Sequence, residues 1–299
     1  MVTALSSMWS QHRFTDVLSL ARAAAELGFP AVELSHTTTV DHVAHLKPGE
    51  AVIASVHYPA PTAPSTYKRG ADFYLSSPDD AARAWAVQQG ERGLRFAAEM
   101  GAEALCIHLG MVDMPSHHEW ALEQRYTGGQ ADSPLYVRLR DHIIAERAHR
   151  QAPHFEAARR SLDEIAQMAS RMGLRIGVES RRLYREIPNY EEMTILLNEH
   201  DPQIVGFWYD MGHVEVLANL GFHRHQDWLD SFASRIVGVH FHDVIGTRDH
   251  LLPGLGRLDY RHIAGYLPET AIRTFELDWY YEGEELRAGM ACAREMGCL

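Results

Sequence analysis

The sequence predicts an α/β fold, a single-domain (β/α)8 TIM barrel, and three observations support this prediction. Short apolar runs rich in β-branched and aromatic residues alternate eight times with stretches of helical periodicity, a pattern that indicates a parallel sheet. The 299 residues accommodate the roughly 250 that a complete barrel needs. No composition break, low-complexity tract or Pro/Gly/Ser-rich linker divides the chain, which favours one closed barrel over residues 1–299.

Eight strands and their intervening helices can be placed in order along the chain. The predicted strands are 2–8, 31–35 (with Glu33 inside it), 51–57, 104–108, 175–179, 204–210, 236–240 and 272–276. The predicted helices are 15–27, 77–100, 153–172, 188–198, 214–220 with 226–234, 260–267 and 282–296. Gly28, Gly101 and Gly173 follow three of these helices, as is common at helix C-termini. The polar stretch at about 111–151 is predicted to be a long loop or a helical insertion that covers one mouth of the barrel.

The composition disfavours several classes of protein. A net charge of −12 disfavours binding to nucleic acid, because sequence-independent binding needs a basic surface. No run of about 20 apolar residues predicts a membrane span. Residues 1–9 lack the basic region of a signal peptide. The three cysteines, Cys106, Cys292 and Cys298, show no CxxC spacing, so a reducing, cytoplasmic location is expected.

Two common kinds of barrel chemistry also lack support. The lysines are Lys47, which precedes a Pro-Gly turn, and Lys68, which lies in a polar loop, so neither ends an apolar strand as a Schiff-base nucleophile would. No Gly-x-Gly-x-x-Gly segment follows a predicted strand, so a dinucleotide site is not indicated.

Four successive predicted strands end on residues that can bind a metal ion: Glu179, Asp210, His240 and Glu276. The C-terminal ends of parallel barrel strands meet at one mouth, so these side chains should converge there. One imidazole and three carboxylates form a suitable ligand set for a divalent metal ion, with Mn²⁺ the first expectation and Mg²⁺, Co²⁺ or Zn²⁺ as alternatives. For each acid taken alone, a helix N-cap or a loop salt bridge is the alternative.

The alternation of strand faces supports this convergence. Glu179 shares a strand face with Gly177, and His240 shares one with Gly238, so small residues would leave space for inward-pointing side chains above them. By the same parity, the strand-end residues His57 and His108 also point inward, either as site residues or as core histidines. His242, followed by Asp243, has a strand cap as its alternative role.

Together these segments resemble the xylose isomerase-like TIM-barrel superfamily. The segments that carry the resemblance are the strand ending at Glu179, Asp-Met-Gly-His at 210–213, His-Phe-His-Asp at 240–243, His250 with its Pro-Gly-x-Gly turn and Asp259 beyond it, and Glu276. This superfamily includes sugar and sugar-phosphate isomerases and epimerases, inosose dehydratases, hydroxypyruvate isomerases and the endonuclease IV family. The resemblance implies a metal site of Glu179, Asp210, His240 and Glu276. By comparison with ketose 3-epimerases, it also implies proton transfer by the two glutamates and substrate contact by His213.

The sequence departs from each of the two nearest patterns. Ketose 3-epimerases carry a substrate-binding Arg where this chain has His250. Proteins of the endonuclease IV type have His there and at the positions of His57 and His108, but their third zinc takes an Asp where this chain has Arg248. A two-metal site formed by His57, His108 and a bridging Glu179 therefore stays open.

The leading hypothesis is a metal-dependent isomerase or epimerase that acts on a small sugar, sugar phosphate or related polyhydroxy carbonyl compound through an enediolate. In it, Glu179 and Glu276 exchange the substrate proton. His213, His250, His57 and His108 are the expected substrate contacts. Arg185, with its neighbours Arg181 and Arg182, could bind a phosphate or carboxylate, with surface arginines that bind no ligand as the equal alternative. The alternatives are an endonuclease IV-like phosphoester hydrolase and a non-catalytic sugar-binding barrel. A homo-oligomer is left open.

Overall fold

The computed structural model describes residues 2–63 and 71–299, and these form a closed barrel of eight parallel strands. The barrel strands are β1 (Val2–Ser6), β2 (Ala31–Leu34), β3 (Ile53–His57), β4 (Ala104–Ile107), β5 (Arg175–Glu179), β6 (Val205–Asp210), β7 (Ile236–Phe241) and β10 (Ile272–Phe275). They pair in chain order, and β10 closes the barrel against β1. The predicted (β/α)8 barrel is therefore confirmed. Lys68, predicted to lie in a polar loop, is outside the described residues.

Helices surround the barrel. They are α1 (Val17–Leu27), α2 (Asp80–Met100), α3 (His117–Thr127), α4 (Pro134–Met172), α5 (Tyr190–Glu199), α6 (Met211–Asn219), α7 (His225–Phe232), α8 (Tyr260–Ala264) and α9 (Gly283–Glu295). Gly28, Gly101 and Gly173 end α1, α2 and α4 with positive φ angles of 97°, 74° and 70°, a conformation that glycine adopts without steric cost. Among the described residues, no helix combines the length and apolarity needed to cross a membrane.

The stretch at 111–151 contains α3 and the first half of α4. The helix that the sequence predicts from Pro153 instead begins at Pro134, where Ser133 caps it by accepting a hydrogen bond from the Tyr136 amide. Pro153 lies inside this helix at an exposed position, so solvent can reach the backbone carbonyl that proline leaves without a donor. The first strand also ends earlier than predicted, at Ser6 instead of Met8, because residues 7–10 form a 3₁₀ turn.

A hairpin of β8 (Asp243–Ile245) and β9 (Arg248–Leu251) lies between β7 and α8. Asp243 anchors its base: its carboxylate accepts hydrogen bonds from the amides of Val244 at 2.8 Å, Gly254 at 2.9 Å and Leu258 at 3.1 Å. A Cβ atom on Gly256 would lie 2.1 Å from Asp243 Oδ1, so the returning chain needs glycine at this close approach. The predicted rigid turn thus closes on Asp243.

Trp208 fills the barrel interior beneath the mouth. Gly177 and Gly238 were expected to leave space for metal ligands, but the Trp208 ring occupies that space: a Cβ atom on these glycines would lie 2.6 Å and 2.4 Å from it. The ring also contacts His240 edge-on, at 5.3 Å between centroids. Apart from Ile272, the residues that pack with Trp208 inside the barrel are small: Ala4, Ala31, Ala54, Ala104, Cys106 and Val237. One large ring therefore forms the floor of the site.

We expect Gly238→Ala to lower the free energy of unfolding by about 1–3 kcal/mol, because the added methyl group would overlap the enclosed Trp208 ring. Urea unfolding followed by circular dichroism measures the change. Gly265→Ala is the matched control, since its Cβ atom would lie 3.4 Å from the nearest neighbouring atom and should change stability little. Equal stability of the two variants would contradict the packing role assigned to Trp208.

Candidate metal centre and substrate pocket

Four strand ends bring Glu179, Asp210, His240 and Glu276 together at the barrel mouth. One ligand atom from each residue lies within 4.8 Å of the other three, and all four side chains are buried. His240 Nδ1 lies 3.0 Å from Glu179 Oε1, 3.2 Å from Glu276 Oε2 and 3.4 Å from Asp210 Oδ2. The parallel pairing brings these strand ends to one mouth with a stagger: Asp210 pairs with His240, whereas Glu179 pairs with Trp208 and Thr274 pairs with His240.

Glu33 on β2 holds the opposite side of the His240 ring. Its Oε1 lies 3.0 Å from His240 Nε2, and its Oε2 accepts hydrogen bonds from Ser55 Oγ at 2.6 Å and Thr274 Oγ1 at 3.3 Å. A proton on Nε2 directed at Glu33 leaves the Nδ1 lone pair facing the three carboxylates. Glu33 has no role predicted from the sequence, although an acid within an otherwise apolar buried strand is a signal that could have found it.

The charges of this cluster favour a bound cation. Burial alone would raise the pKa of Glu179, but His108 and His240 outweigh it and hold that pKa well below its usual range. Burial likewise opposes ionisation of Asp210, yet His213 and His242 keep its pKa well below normal. Ionised carboxylates that surround a single imidazole leave an excess of buried negative charge, which is costly without a compensating cation. The nitrogen and carboxylate donor set therefore fits a divalent metal ion.

The pKa of His240 is raised, as expected for an imidazole among carboxylates. Burial would lower this pKa, but the surrounding carboxylates, led by Glu276 and followed by Glu33 and Glu179, raise it well above its ordinary value. The cluster thus stabilises a positive charge at the position of the imidazole. A metal ion bound at Nδ1 would meet the same demand in place of the proton.

The second oxygen of Glu179 faces another pair of histidines and an arginine. Glu179 Oε2 lies 3.1 Å from His57 Nε2 and also contacts His108 Nε2, so the structure brings these two predicted site residues together with Glu179. Arg181 Nη1 lies 3.1 Å from the same oxygen, and Arg181 Nη2 contacts Glu186 Oε1 at 2.7 Å. A guanidinium therefore competes for the oxygen that a second metal ion would need.

His213, His242 and His250 form a third group beside Asp210. His242 is held at both nitrogens: Nε2 lies 2.9 Å from Asp210 Oδ1, and Nδ1 accepts the His250 amide at 2.9 Å. Because both nitrogens are engaged, His242 positions Asp210 and the hairpin. His213 Nδ1 lies 3.0 Å from the Ser180 carbonyl, which leaves Nε2 for other partners. His250 has a φ of 55° and places Nε2 3.6 Å from Glu276 Oε2.

These groups line a cavity of about 320 Å³ at the mouth. Its walls include the predicted residues His57, His108, Glu179, His213, His250 and Glu276. Four further wall residues have no site role predicted from the sequence: Met8, His36, Leu183 and Glu186. His36 follows β2 by two positions, so the rule that strand ends meet at the mouth could have found it. The same rule applies to Met8, the last residue of the predicted first strand, whereas Leu183 and Glu186 lie in the loop after β5, which has no pattern of its own.

The arginines predicted to bind an anion are already paired with carboxylates. Arg182 lies 2.8 Å from both Asp249 and Glu123. Arg185 Nε lies 3.4 Å from Glu119 Oε2, the Arg185 amide donates to the same carboxylate at 2.9 Å, and Arg185 is not among the residues that line the cavity. These pairs attach the loop after β5 to α3 and to the hairpin.

Comparison with known proteins identifies the family of this fold. Residues 21–296 match the family model described as xylose isomerase-like TIM barrel. The uncharacterized protein y4fM of Sinorhizobium fredii is 29% identical over 175 residues, covering 53% of this chain and 53% of that protein. An inosose dehydratase of Lactiplantibacillus plantarum is 25% identical over 159 residues, covering 52% of this chain and 48% of that protein. The chain thus spans about half the length of the curated relatives it matches.

Solved structures with this fold include sugar epimerases and isomerases. A D-tagatose 3-epimerase-like protein has a TM-score of 0.68 at 18% identity, with 99% of this chain and 97% of that chain covered. The TTHB071 protein of Thermus thermophilus, soaked with ZnCl₂, has a TM-score of 0.60 at 20% identity, with 99% and 98% covered. These likenesses extend over nearly the whole barrel. The chain belongs to the xylose isomerase-like TIM-barrel family.

Proposed function

We propose that this protein is a divalent-metal-dependent isomerase or epimerase of small, uncharged polyhydroxy carbonyl compounds. The observation that carries the proposal is the pair Glu179 and Glu276: both carboxylates line the mouth cavity and lie 3.0–3.2 Å from the same nitrogen, His240 Nδ1. Two ionised carboxylates at one cavity floor are suited to remove and return a proton. The names of the similar proteins, an inosose dehydratase and a D-tagatose 3-epimerase-like protein, support a sugar-like substrate.

Each residue of the site has a role in this proposal. Glu179, Asp210, His240 and Glu276 would hold the ion, which when bound supplies Lewis-acid polarisation of the substrate carbonyl. One glutamate removes the proton from the carbon next to the carbonyl. A glutamate then returns the proton, and in an epimerisation it does so on the opposite face of that carbon. Burial would raise the pKa of Glu276, but His240 and His250 outweigh it and keep the carboxylate ionised, as a base requires.

The histidines would fix the substrate hydroxyl groups. His213 and His250 line the cavity, and the Nε2 atom of His213 is available for a hydroxyl hydrogen bond. His250 Nε2 lies 3.6 Å from Glu276 Oε2, so a bound hydroxyl would share this nitrogen with the carboxylate. His57 and His108 form the wall on the far side of Glu179. Such contacts hold the reacting carbon in one orientation, which is a large part of the catalytic effect of positioning.

The charge of the cavity favours an unphosphorylated substrate. In residues 2–63 and 71–299, the mouth arginines Arg181 and Arg182 each contact two carboxylates, and Arg185 contacts Glu119. A phosphate would have to displace one of these ion pairs while facing Glu179 and Glu276. We therefore propose free ketoses or inososes as the substrate class in preference to their phosphates.

Solvent deuterium wash-in tests this function. The protein loaded with Mn²⁺ is incubated in D₂O with a panel of free ketoses, inososes and ketose phosphates, and exchange next to the carbonyl is followed by NMR. We expect exchange with at least one uncharged compound, slower exchange with its phosphate, and loss of exchange after chelation. Faster exchange with a phosphate would contradict the uncharged substrate class, and absence of exchange across the panel would contradict the proposed activity.

A phosphoester hydrolase is the second candidate, because His57, His108 and Glu179 form a group that could hold another ion. The Arg181 guanidinium beside Glu179 Oε2 weighs against it, since like charges repel in a buried site. Elemental analysis of wild-type and His57→Ala protein separates the two: equal ion counts support the isomerase, whereas the loss of one zinc ion together with the loss of abasic-site DNA cleavage in His57→Ala supports the hydrolase. Sugar binding without exchange or cleavage would indicate a non-catalytic barrel.

We expect Glu33→Ala to weaken Mn²⁺ binding about 10- to 100-fold, because the His240 ring loses the partner that fixes its tautomer. Glu33→Gln should lose less, since its amide oxygen can still accept the Nε2 proton. Isothermal titration of chelator-treated protein gives both affinities. Unchanged affinity in a folded Glu33→Ala variant would show that Glu33 does not position His240 for the ion.

A further inference from the structure

A second group of possible metal ligands lies where α3 and α4 meet, and it shares no residue with the mouth cluster. His118 stands in the first turn of α3, while His142 and Glu146 stand one turn apart on α4. Glu146 Oε2 lies 3.2 Å from His118 Nδ1 and 3.7 Å from His142 Nε2. The two imidazole rings contact each other edge-on, with 4.7 Å between their centroids. Both rings thus direct a nitrogen at one carboxylate oxygen.

The geometry of this group suits a tetrahedral ion. Zinc bonds of about 2.0–2.1 Å to nitrogen and oxygen require ligand atoms roughly 3.3 Å apart, which lies between the two observed separations. Residues four apart on a helix face the same side, so His142 and Glu146 are already aligned. Arg150 contacts the other oxygen of Glu146 at 3.2 Å, which orients the carboxylate and leaves Oε2 toward the histidines.

The exposure of the group permits an ion to enter and to be held. The His142 side chain is 56% exposed, whereas those of His118 and Glu146 are 24% and 13% exposed. Solvent ions can therefore reach the site at His142, and two of the three ligands are partly removed from competing water. Two imidazoles and one carboxylate are a zinc ligand set that leaves a fourth position for water.

We propose that His118, His142 and Glu146 bind Zn²⁺ and join α3 to α4. The next residue on α3, Glu119, contacts Arg185, and Glu123 contacts Arg182 in the loop after β5. An ion on one side of α3 would therefore stabilise the helix whose other contacts hold the edge of the mouth. This site is separate from the proposed catalytic ion and does not depend on the proposed activity.

The test compares zinc binding by the whole protein and two variants. Chelator-treated wild-type protein, His142→Ala and His149→Ala are titrated with Zn²⁺ against a chromophoric chelator, with folding checked by circular dichroism. His149 is the matched control because it is an exposed histidine on the same helix, outside the ligand group. We expect His142→Ala to bind about one zinc ion fewer per chain than wild type, and His149→Ala to bind as wild type does.

A second variant and a second readout guard against indirect effects. His118→Ala, on the other helix, should lose the same equivalent, and Zn²⁺ should raise the melting temperature of wild type more than that of either ligand variant. Equal zinc stoichiometry in wild type and both ligand variants would overturn the proposal. Equal losses in His142→Ala and His149→Ala would also overturn it, because they would indicate nonspecific binding to surface histidines.

Discussion

Glu276→Gln is expected to lower turnover and deuterium wash-in by a factor of at least about 10² to 10⁴, the usual contribution of a general acid–base group. The amide keeps the size of the side chain and an oxygen for the ion, but it cannot accept the substrate proton. Glu276 is buried and contacts both His240 and His250. A base from the solvent therefore cannot take its place in the site. The measurement is exchange at the substrate carbon under single-turnover conditions with saturating Mn²⁺.

The matched control for this loss is Glu164→Gln. Glu164 is also an ion-paired carboxylate, 2.7 Å from Arg83, but it lies on α4 and outside the residues that line the cavity. Its variant should retain wild-type exchange. Glu179→Gln should lower the exchange rate as Glu276→Gln does. It should also weaken binding of the ion, because Glu179 contacts His240 through one oxygen and His57 through the other. Full activity of Glu276→Gln would remove this residue from the proposed proton transfer.

Arg147→Ala is expected to destabilise the protein by about 3–5 kcal/mol, because it leaves a buried carboxylate without its partner. Arg147 is 1% exposed and contacts both oxygens of Glu192, at 2.9 Å and 2.7 Å. It also donates to the carbonyls of Tyr184 at 2.7 Å and Glu186 at 2.9 Å. The variant should therefore lose stability and also loosen the loop after β5 that carries Arg181 and Arg182 to the cavity. Urea unfolding gives the free energy change.

Arg159→Ala is the comparison for Arg147→Ala. Arg159 lies on the same helix and pairs with Glu199, but both side chains are about a third exposed or more, so water screens the pair. Its loss should change the free energy of unfolding by at most about 1 kcal/mol. In a double-mutant cycle, Glu192→Gln should cost much less in the Arg147→Ala background than in wild type. Additive costs would show that the two side chains do not act as a pair.

The parallel strands and their end residues could be predicted because both follow from local patterns. Buried parallel strands are continuous apolar runs, so a charged residue at the end of each run is easy to see. Asp210 and His240 illustrate this: each ends or nearly ends a fully buried strand, and the register places them side by side. Given a closed barrel, their convergence requires no information about loops.

Features that depend on neighbours in space could not be predicted in this way. The space above Gly177 is filled by Trp208 from the adjacent strand, and period-two alternation alone does not say which neighbouring ring will enter. The full length of α4 was missed because Pro153 indicates a break, although an exposed position tolerates it. The contact of Arg181 with Glu179 depends on the path of the chain after β5, for which the sequence offers no period.

The hairpin after β7 has a base whose residues must be kept and a far strand whose residues can vary. Asp243 and Gly256 close its base through backbone hydrogen bonds and a close approach, whereas its far strand carries Asp249 and His250 toward the cavity. Replacement of residues 245–250 therefore keeps the base and the four strand-end residues in the sequence, but it removes the contact of His250 with Glu276. Variation in this segment would therefore reshape one wall of the cavity while the four strand-end side chains stay in place. A library restricted to these six positions is the economical starting point for changing what the cavity binds.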